Sequence, residues 1–182
     1  PDGVGDSKDI EPARRERLAG EIRASAGDVG IAEIPVERID DDETDMNTLT
    51  VEAQAEALSA VARDGLSGTV DAGDTDAARF GRRVADAVDA EVTVTAEHGA
   101  DETDPVVGAA SIIAKVARDT HVGELAEEYG DVGSGYPSDP TTRTFLADFV
   151  DRHGELPACA RRSWSTCDDV LAAASQATLG DF

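Results

Sequence analysis

The chain has 182 residues, enough for one domain with a single substantial core. Its 39 Asp and Glu against 16 Lys and Arg give a net charge of −23, yet 40% of its residues are hydrophobic, which excludes a disordered polyanion. No apolar run approaches the length of a membrane span, and the reading is a cytoplasmic protein of concentrated salt, with no membrane partner, whose hydrated carboxylates keep it dissolved.

The chain opens on Pro1 rather than Met, so a truncated beginning is the expectation. Residues 11–26 read as a polar, Arg-rich helix that Gly27 ends. Residues 29–36 read as a strand, in which IAEIPV alternates until Pro35 interrupts it. Leu49, Val51, Ala55, Leu58 and Val61 recur at helical spacing and predict a helix over 49–62. A short strand over 68–72, a helix over 76–88 and a β-branched strand over 92–96 follow. One long helix is expected over 105–129, with Pro105 suited to its first turn, then helices over 140–153 and 164–175. Strands alternating with helices argue for an α/β layer covered by helices on both faces, as one domain without internal repeats. Cys159 and Cys167 form no CxxC and have no histidine at zinc-ligand spacing, so they read as reduced thiols.

Two carboxylates stand where chemistry needs them. Asp71 follows the strand in TVDAGDTDAARF, and Asp101 follows the strand leading into TAEHGAD. The carboxyl ends of strands are where open α/β sheets gather their sites. Mg²⁺ takes hard oxygen ligands and keeps several waters, so converging carboxylates suffice without histidine or cysteine. In so acidic a chain a strand-end Asp is equally a solvated residue or a helix cap, and spacing alone does not select these two.

Tyr136 sits in GSGYPSDP, where the glycines let backbone approach a ligand and Pro137 holds Tyr136 extended. Its ring is either presented for stacking on a sugar or base, or packed on the domain edge as a turn tyrosine. Lysine survives at two positions only, Lys8 and Lys115; Lys115 shares a helix face with Ser111. Either lysine is a point charge that arginine replaces poorly or a partner to the many acids. His98, His121 and His153 have no triad-like company, although His98 stands three residues before Asp101.

The stretch DETDPVVGAASIIAKVARD, followed closely by YGDVGSGYPSDP, resembles the type 2 ribonuclease H family, ribonuclease HII, in its archaeal form. The likeness runs from GDSK through RHGELP to the Trp164 region. It implies a ribonuclease H-like α/β fold, a mixed sheet with flanking helices and a C-terminal helical extension. Residues 1–174 would form the catalytic domain and 175–182 a flexible tail. VDAGDTDAARF resembles the segment whose strand-end Asp binds metal, which is Asp71. AEHGADETDPVV resembles the segment whose Asp, after His-Lys-Ala, completes an acidic quartet; that Asp is Asp101, with Gly99 in place of the lysine. Asp119, in VARD, is by the same comparison a structural acid of its helix.

The resemblance also implies an endonuclease for the RNA strand of RNA–DNA hybrids that cuts 5′ of ribonucleotides embedded in DNA. Mg²⁺ or Mn²⁺ would serve two-metal hydrolysis, leaving 3′-hydroxyl and 5′-phosphate ends. Tyr136 resembles the tyrosine packed at the RNA–DNA junction, and Ser7, Lys8 and Lys115 are candidates for contacts with the substrate. Family members open with an Asp-Glu-Ala-Gly-Arg-Gly strand carrying two further acids, and that string does not occur here. As given, the chain is expected to be inactive alone; the alternative is a junction-binding module unable to cleave. The tail places Gln176, Leu179 and Phe182 in the pattern Q-x-x-hydrophobic-x-x-aromatic, which resembles the motif that docks replication and repair enzymes on the sliding clamp. A monomer is expected. In concentrated salt, counterion release contributes little to nucleic-acid binding, so metal-bridged phosphates and a local patch of Arg118, Arg143, Arg161 and Arg162 are expected to replace it.

Overall fold

The computed structural model describes residues 10–180, with side chains as far as residue 176. Helix α1, Pro12–Ser25, has Pro12 in its first turn, where the missing N–H had no partner to lose. It buries Leu18, Ala19 and Ile22 against Ile112 and Ile113 of the 25-residue helix α6, Pro105–Tyr129. The strand predicted over 29–36 does not form. Residues 28–35 join no ladder, and the short helix α2, Val36–Ile39, starts directly after Pro35. Exposure still alternates along 31–36, so the sequence pattern is real, but it serves packing rather than pairing. A Cβ at Gly30 would come within 1.9 Å of the Ala57 carbonyl oxygen; the segment leans on helix α3, Met46–Ser59, instead of on a strand.

Helix α3 begins three residues before the predicted start at 49, because the Asp45 carboxylate accepts the Thr48 N–H at 2.8 Å and caps it there. Strands β1, Ser67–Asp71, and β2, Thr93–Glu97, form a parallel pair in a register that runs from Ser67↔Thr93 to Asp71↔Glu97. Between them runs helix α4, Ala77–Ala87, capped by Asp76 through the Arg79 N–H. Phe80 and Val84 of α4 are wholly enclosed, in a core shared with Val51, Ala55 and Val70. Full burial of a side chain the size of Phe80 is worth about 1.5–3 kcal/mol. Gly81 lets α4 approach β2 closely: a Cβ there would stand 3.1 Å from the Val94 carbonyl oxygen. Along β2, Val94 and Ala96 turn inward while Thr93, Thr95 and Glu97 face out.

Two compact units result. One holds residues up to Ile34 together with Glu43–Arg118; the other holds Pro35–Asp42 and the residues from Asp119 onward. In the second unit, helix α7, Pro140–His153, has the predicted bounds: Asp139 caps it, and Gly154, at φ 76°, stops it. Helix α8, Ser165–Gly180, packs against α7 and runs past the predicted end at 175. Their core comprises Val132, Phe145, Leu146, Val150, Leu156, Ala160 and Cys167. Rings of Tyr129, Phe145 and Phe149 meet there with centroids 6.0–6.1 Å apart. Both cysteines are free, and burial raises the pKa of each thiol. Among the described residues no helix is long and apolar enough to cross a membrane. The α/β class, with helices flanking a small sheet and a helical C-terminal part, is the one the sequence predicts.

Candidate active site

Parallel pairing of β1 and β2 brings their carboxyl ends side by side, with Asp71 opposite Glu97. The Ala72 N–H donates to the Glu97 carbonyl at 2.9 Å and extends the pairing one residue past Asp71. After β2 the chain turns through Gly99, left-handed at φ 65°, into the single turn α5, Ala100–Thr103. Ala100 is fully buried, and its N–H donates to Asp71 Oδ1 at 3.1 Å. Asp101 is the next residue, half-buried like Asp71. One hydrogen bond thus ties the first acid to the turn that carries the second. Gln54, on α3, donates Nε2 to the Asp71 carbonyl at 3.1 Å and fixes the backbone there. Its Oε1 is buried and finds no partner among the described residues.

Asp71 and Asp101 are hard oxygen donors, suited to a divalent ion that retains its waters. Among the described residues no three His, Cys, Asp or Glu side chains gather as a metal site, so the pair fits part of such a site rather than a whole one. Neighbouring acids have other work. Asp104 accepts the Val106 N–H at 2.8 Å at the head of α6. Asp74 is buried and paired with Arg79, and that guanidinium holds its pKa at about 2. Asp74 therefore stiffens the loop after Asp71 as a fixed anion with its charge already matched.

The tyrosine loop belongs to the second unit. Tyr136 is 48% exposed, in a turn closed by the Asp139 N–H donating to the Tyr136 carbonyl at 3.0 Å. Gly133 and Gly135 take left-handed conformations at φ 67° and 74°. The Ser134 N–H donates to Asp139 Oδ2 at 2.6 Å, and the Gly135 N–H to Thr142 Oγ1 at 3.0 Å. Backbone N–H donors, that of Ser134 first, hold the Asp139 carboxyl at about 2.

Lys115 lies half-buried on α6, one turn after Ser111, and Asp119 lies further along the same helix. Ser7, Lys8 and Phe182 lie outside the described residues. Gln176 and position 179 are on α8. Of the arginine candidates, Arg161 stacks over the Trp164 ring at 4.8 Å. Beside it, Asp40 accepts the N–H groups of Arg162 and Ser163 and the Ser163 hydroxyl. Burial pushes the Asp40 carboxyl upward, but the Ser163 and Arg162 donors outweigh it and its pKa is lowered. His98 and His121 are exposed, and His153 stacks on Phe149 at 4.3 Å. Sequence reasoning missed Gln54, Asp74, Asp139 and Thr142. The last two carried a usable signal, since Asp-Pro-Thr-Thr reads as a helix cap; nothing in the sequence marked Gln54.

Comparison with known proteins gives the family. A sequence model of the family "Ribonuclease HII" matches residues 2–167. The chain is 89% identical to ribonuclease HII of Haloarcula marismortui over 182 residues, all of this chain and 86% of that protein. It is 61% identical to ribonuclease HII of Halobacterium salinarum strain R1, again over all of this chain and 86% of the other. Among solved structures, ribonuclease H2 from Pyrococcus horikoshii OT3 superposes with a TM-score of 0.87 at 36% identity, covering 95% of this chain and 82% of that one. Ribonuclease HII from Archaeoglobus fulgidus, solved in complex with PCNA, gives 0.76 at 36% identity, covering 92% and 80%. With a family match over most of its length, the chain belongs to the ribonuclease HII family of ribonuclease H enzymes.

Proposed function

We propose that the protein is an endonuclease that hydrolyses the RNA strand of RNA–DNA hybrids and cuts 5′ of a ribonucleotide embedded in DNA, leaving a 3′-hydroxyl and a 5′-phosphate. The observation that carries this reading is the hydrogen bond from the Ala100 N–H to Asp71 Oδ1 at 3.1 Å. It ties Asp71, at the carboxyl end of β1, to the turn after β2 that carries Asp101, and so supports a reading in which both acids serve one phosphodiester. Asp71 and Asp101 would hold Mg²⁺ or Mn²⁺, in a family pattern that places two further acids in an Asp-Glu-Ala-Gly-Arg-Gly strand. A bound divalent ion supplies charge opposite the scissile phosphate and lowers the pKa of water. The carboxylates fix where that charge lies, and the Ala100 N–H and Gln54 fix Asp71. Tyr136 packs against the ribose at the junction, and Ser7, Lys8 and Lys115 meet the substrate backbone.

The test is a duplex carrying one ribonucleotide, incubated with the full-length protein and Mn²⁺ in concentrated KCl. Cleavage 5′ of the ribonucleotide, abolished by EDTA and restored by Mn²⁺, is expected. Cleavage on its 3′ side, or cleavage that survives EDTA, overturns the reading.

The tail would dock on a sliding clamp through Gln176, Leu179 and Phe182, a reading that the PCNA complex of the Archaeoglobus fulgidus relative supports. One helical turn would bring Leu179 and Phe182 to one side, for an apolar pocket, with Gln176 bonding beside it. Removing residues 176–182 leaves cleavage of a short duplex unchanged and eliminates retention on the clamp in a pull-down at high salt. Equal retention of both chains refutes the docking role.

A further inference from the structure

The α7 cap makes more bonds than a cap needs. An N-cap carboxylate completes its task by accepting an N–H of the first turn, and Asp139 does so with Oδ1, which takes the Thr141 N–H at 2.9 Å. Its other oxygen, Oδ2, points back into the tyrosine loop and takes the Ser134 N–H at 2.6 Å. Thr142, in the first turn of α7 and only 8% exposed, works the same way: its hydroxyl donates to the Val132 carbonyl at 2.9 Å and accepts the Gly135 N–H at 3.0 Å. The main chain from residue 132 to 135 is thereby pinned at three points, and the Asp139 N–H closes the turn onto the Tyr136 carbonyl at 3.0 Å. Space is as tightly set as bonding. A Cβ at Gly133 would stand 2.7 Å from Asp139 Oδ2 and 2.8 Å from Thr142 Oγ1.

We propose that Asp139 and Thr142 are positioning residues for Tyr136, holding the backbone of residues 132–136 so that the exposed ring is presented in one orientation before substrate arrives. This rests on the reading of Tyr136 as the side chain that meets the ribose. Without the brace, a loop with left-handed glycines on both sides of Ser134 would sample many backbone states. Binding would then have to order it, which lowers apparent affinity.

The experiment uses the full-length protein and compares kcat and KM for a duplex with one ribonucleotide against a long RNA–DNA hybrid. Four single variants are needed: Tyr136→Ala, Asp139→Asn, Thr142→Val and Thr142→Ser. Asp139→Asn can still cap α7 through its oxygen but presents an NH₂ group to the Ser134 N–H. Thr142→Val keeps shape and loses the hydroxyl, which Thr142→Ser restores. Tyr136→Ala is expected to lower kcat/KM on the single-ribonucleotide duplex about tenfold, the value of one lost stacking contact. Asp139→Asn and Thr142→Val are expected to fall part of the way to that level, chiefly through KM, and Thr142→Ser to recover. Placed in the Tyr136→Ala background, Thr142→Val adds less than about twofold, because residues acting through one group are not additive.

Parent-like kinetics for Asp139→Asn and Thr142→Val, beside an impaired Tyr136→Ala, overturn the brace alone. A full additional loss in the double variant overturns it too, since that marks a structural role independent of the ring. Parent-like kinetics for Tyr136→Ala overturn the reading of Tyr136 and the brace with it. Circular dichroism in concentrated KCl reports the fold; if Thr142→Val does not fold, Asp139→Asn, which keeps the cap, decides the question.

Discussion

Asp71 and Asp101 are held in different ways. Asp71 has its carbonyl fixed by Gln54 and one carboxylate oxygen fixed by the Ala100 N–H, whereas Asp101 is carried on a single turn that starts at a left-handed glycine. Replacing either by Asn preserves shape and removes an anionic donor. Asp71→Asn and Asp101→Asn should each cost at least about a hundredfold in kcat, the upper end of the loss when a mere outer partner of a metal is removed. Assays at saturating Mn²⁺, with circular dichroism to confirm the fold, check this; near-parent activity in either variant removes that residue from the site. Gly99 shows what the family pattern alone could not explain. The resemblance places lysine there, yet at φ 65° a side chain is strained, while nothing stands within 4 Å of its Cβ position. Gly99→Lys should therefore destabilise the chain by about 1–2 kcal/mol through backbone strain alone. Guanidinium unfolding in concentrated KCl measures it, and an unchanged midpoint would show that the turn relaxes. Neither acid was legible from spacing. In a chain with 39 carboxylates, resemblance had to select them.

Elements were legible where the chain supplies its own punctuation. Helix α7 came out with its bounds intact because Asp139, Pro140 and Gly154 mark both ends locally. Helix α3 was predicted late because apolar periodicity begins at Leu49, while the Asp45 cap starts the helix at Met46, three residues earlier. The 29–36 segment failed for the opposite reason: period-two patterning records an extended chain with one covered side, and it is silent on whether a strand or a helix does the covering. The loops that frame the two candidate sites were invisible to periodicity, since their order comes from carboxylates bonded to neighbouring backbone and side chains. That order has a pH signature. The Asp74 carboxyl, bonded by Arg79, and the Asp139 carboxyl, bonded by the Ser134 N–H, both titrate at about 2 rather than 3.8. The folded chain thus releases protons that the unfolded chain keeps, so both contributions are complete above pH 3.8 and disappear as pH falls toward 2. In acid unfolding followed by circular dichroism, Asp74→Asn and Asp139→Asn should each be less stable than the parent at neutral pH and converge on it near pH 2. A constant difference across that window would mean that the carboxylate charge is irrelevant to the loop.

At the scale of the whole molecule, the net charge of −23 sets the conditions under which either unit is stable. Exposed acids such as Asp86, Glu91, Glu127 and Glu155 lie on the outside of both units, and each added anion raises the repulsion that every other one feels. Salt changes the range of that repulsion: the screening length is about 10 Å at 0.1 M and about 3 Å at 1 M. The melting temperature should therefore climb steeply as KCl rises from about 0.1 to about 1 M, then more slowly, because beyond that point only near neighbours still interact. A direct test neutralises the surface instead of screening it. The fourfold variant Asp86→Asn, Glu91→Gln, Glu127→Gln and Glu155→Gln should melt higher than the parent in about 0.1 M KCl and about equal to it in about 3 M. The two routes remove the same energy, so the second adds little once the first is complete. If the variant gains equally at both concentrations, long-range repulsion is not what makes this chain depend on salt. The gain would then lie in local contacts of the four sites, and the acidic surface would need a different physical account, resting on how carboxylates hold water in concentrated KCl.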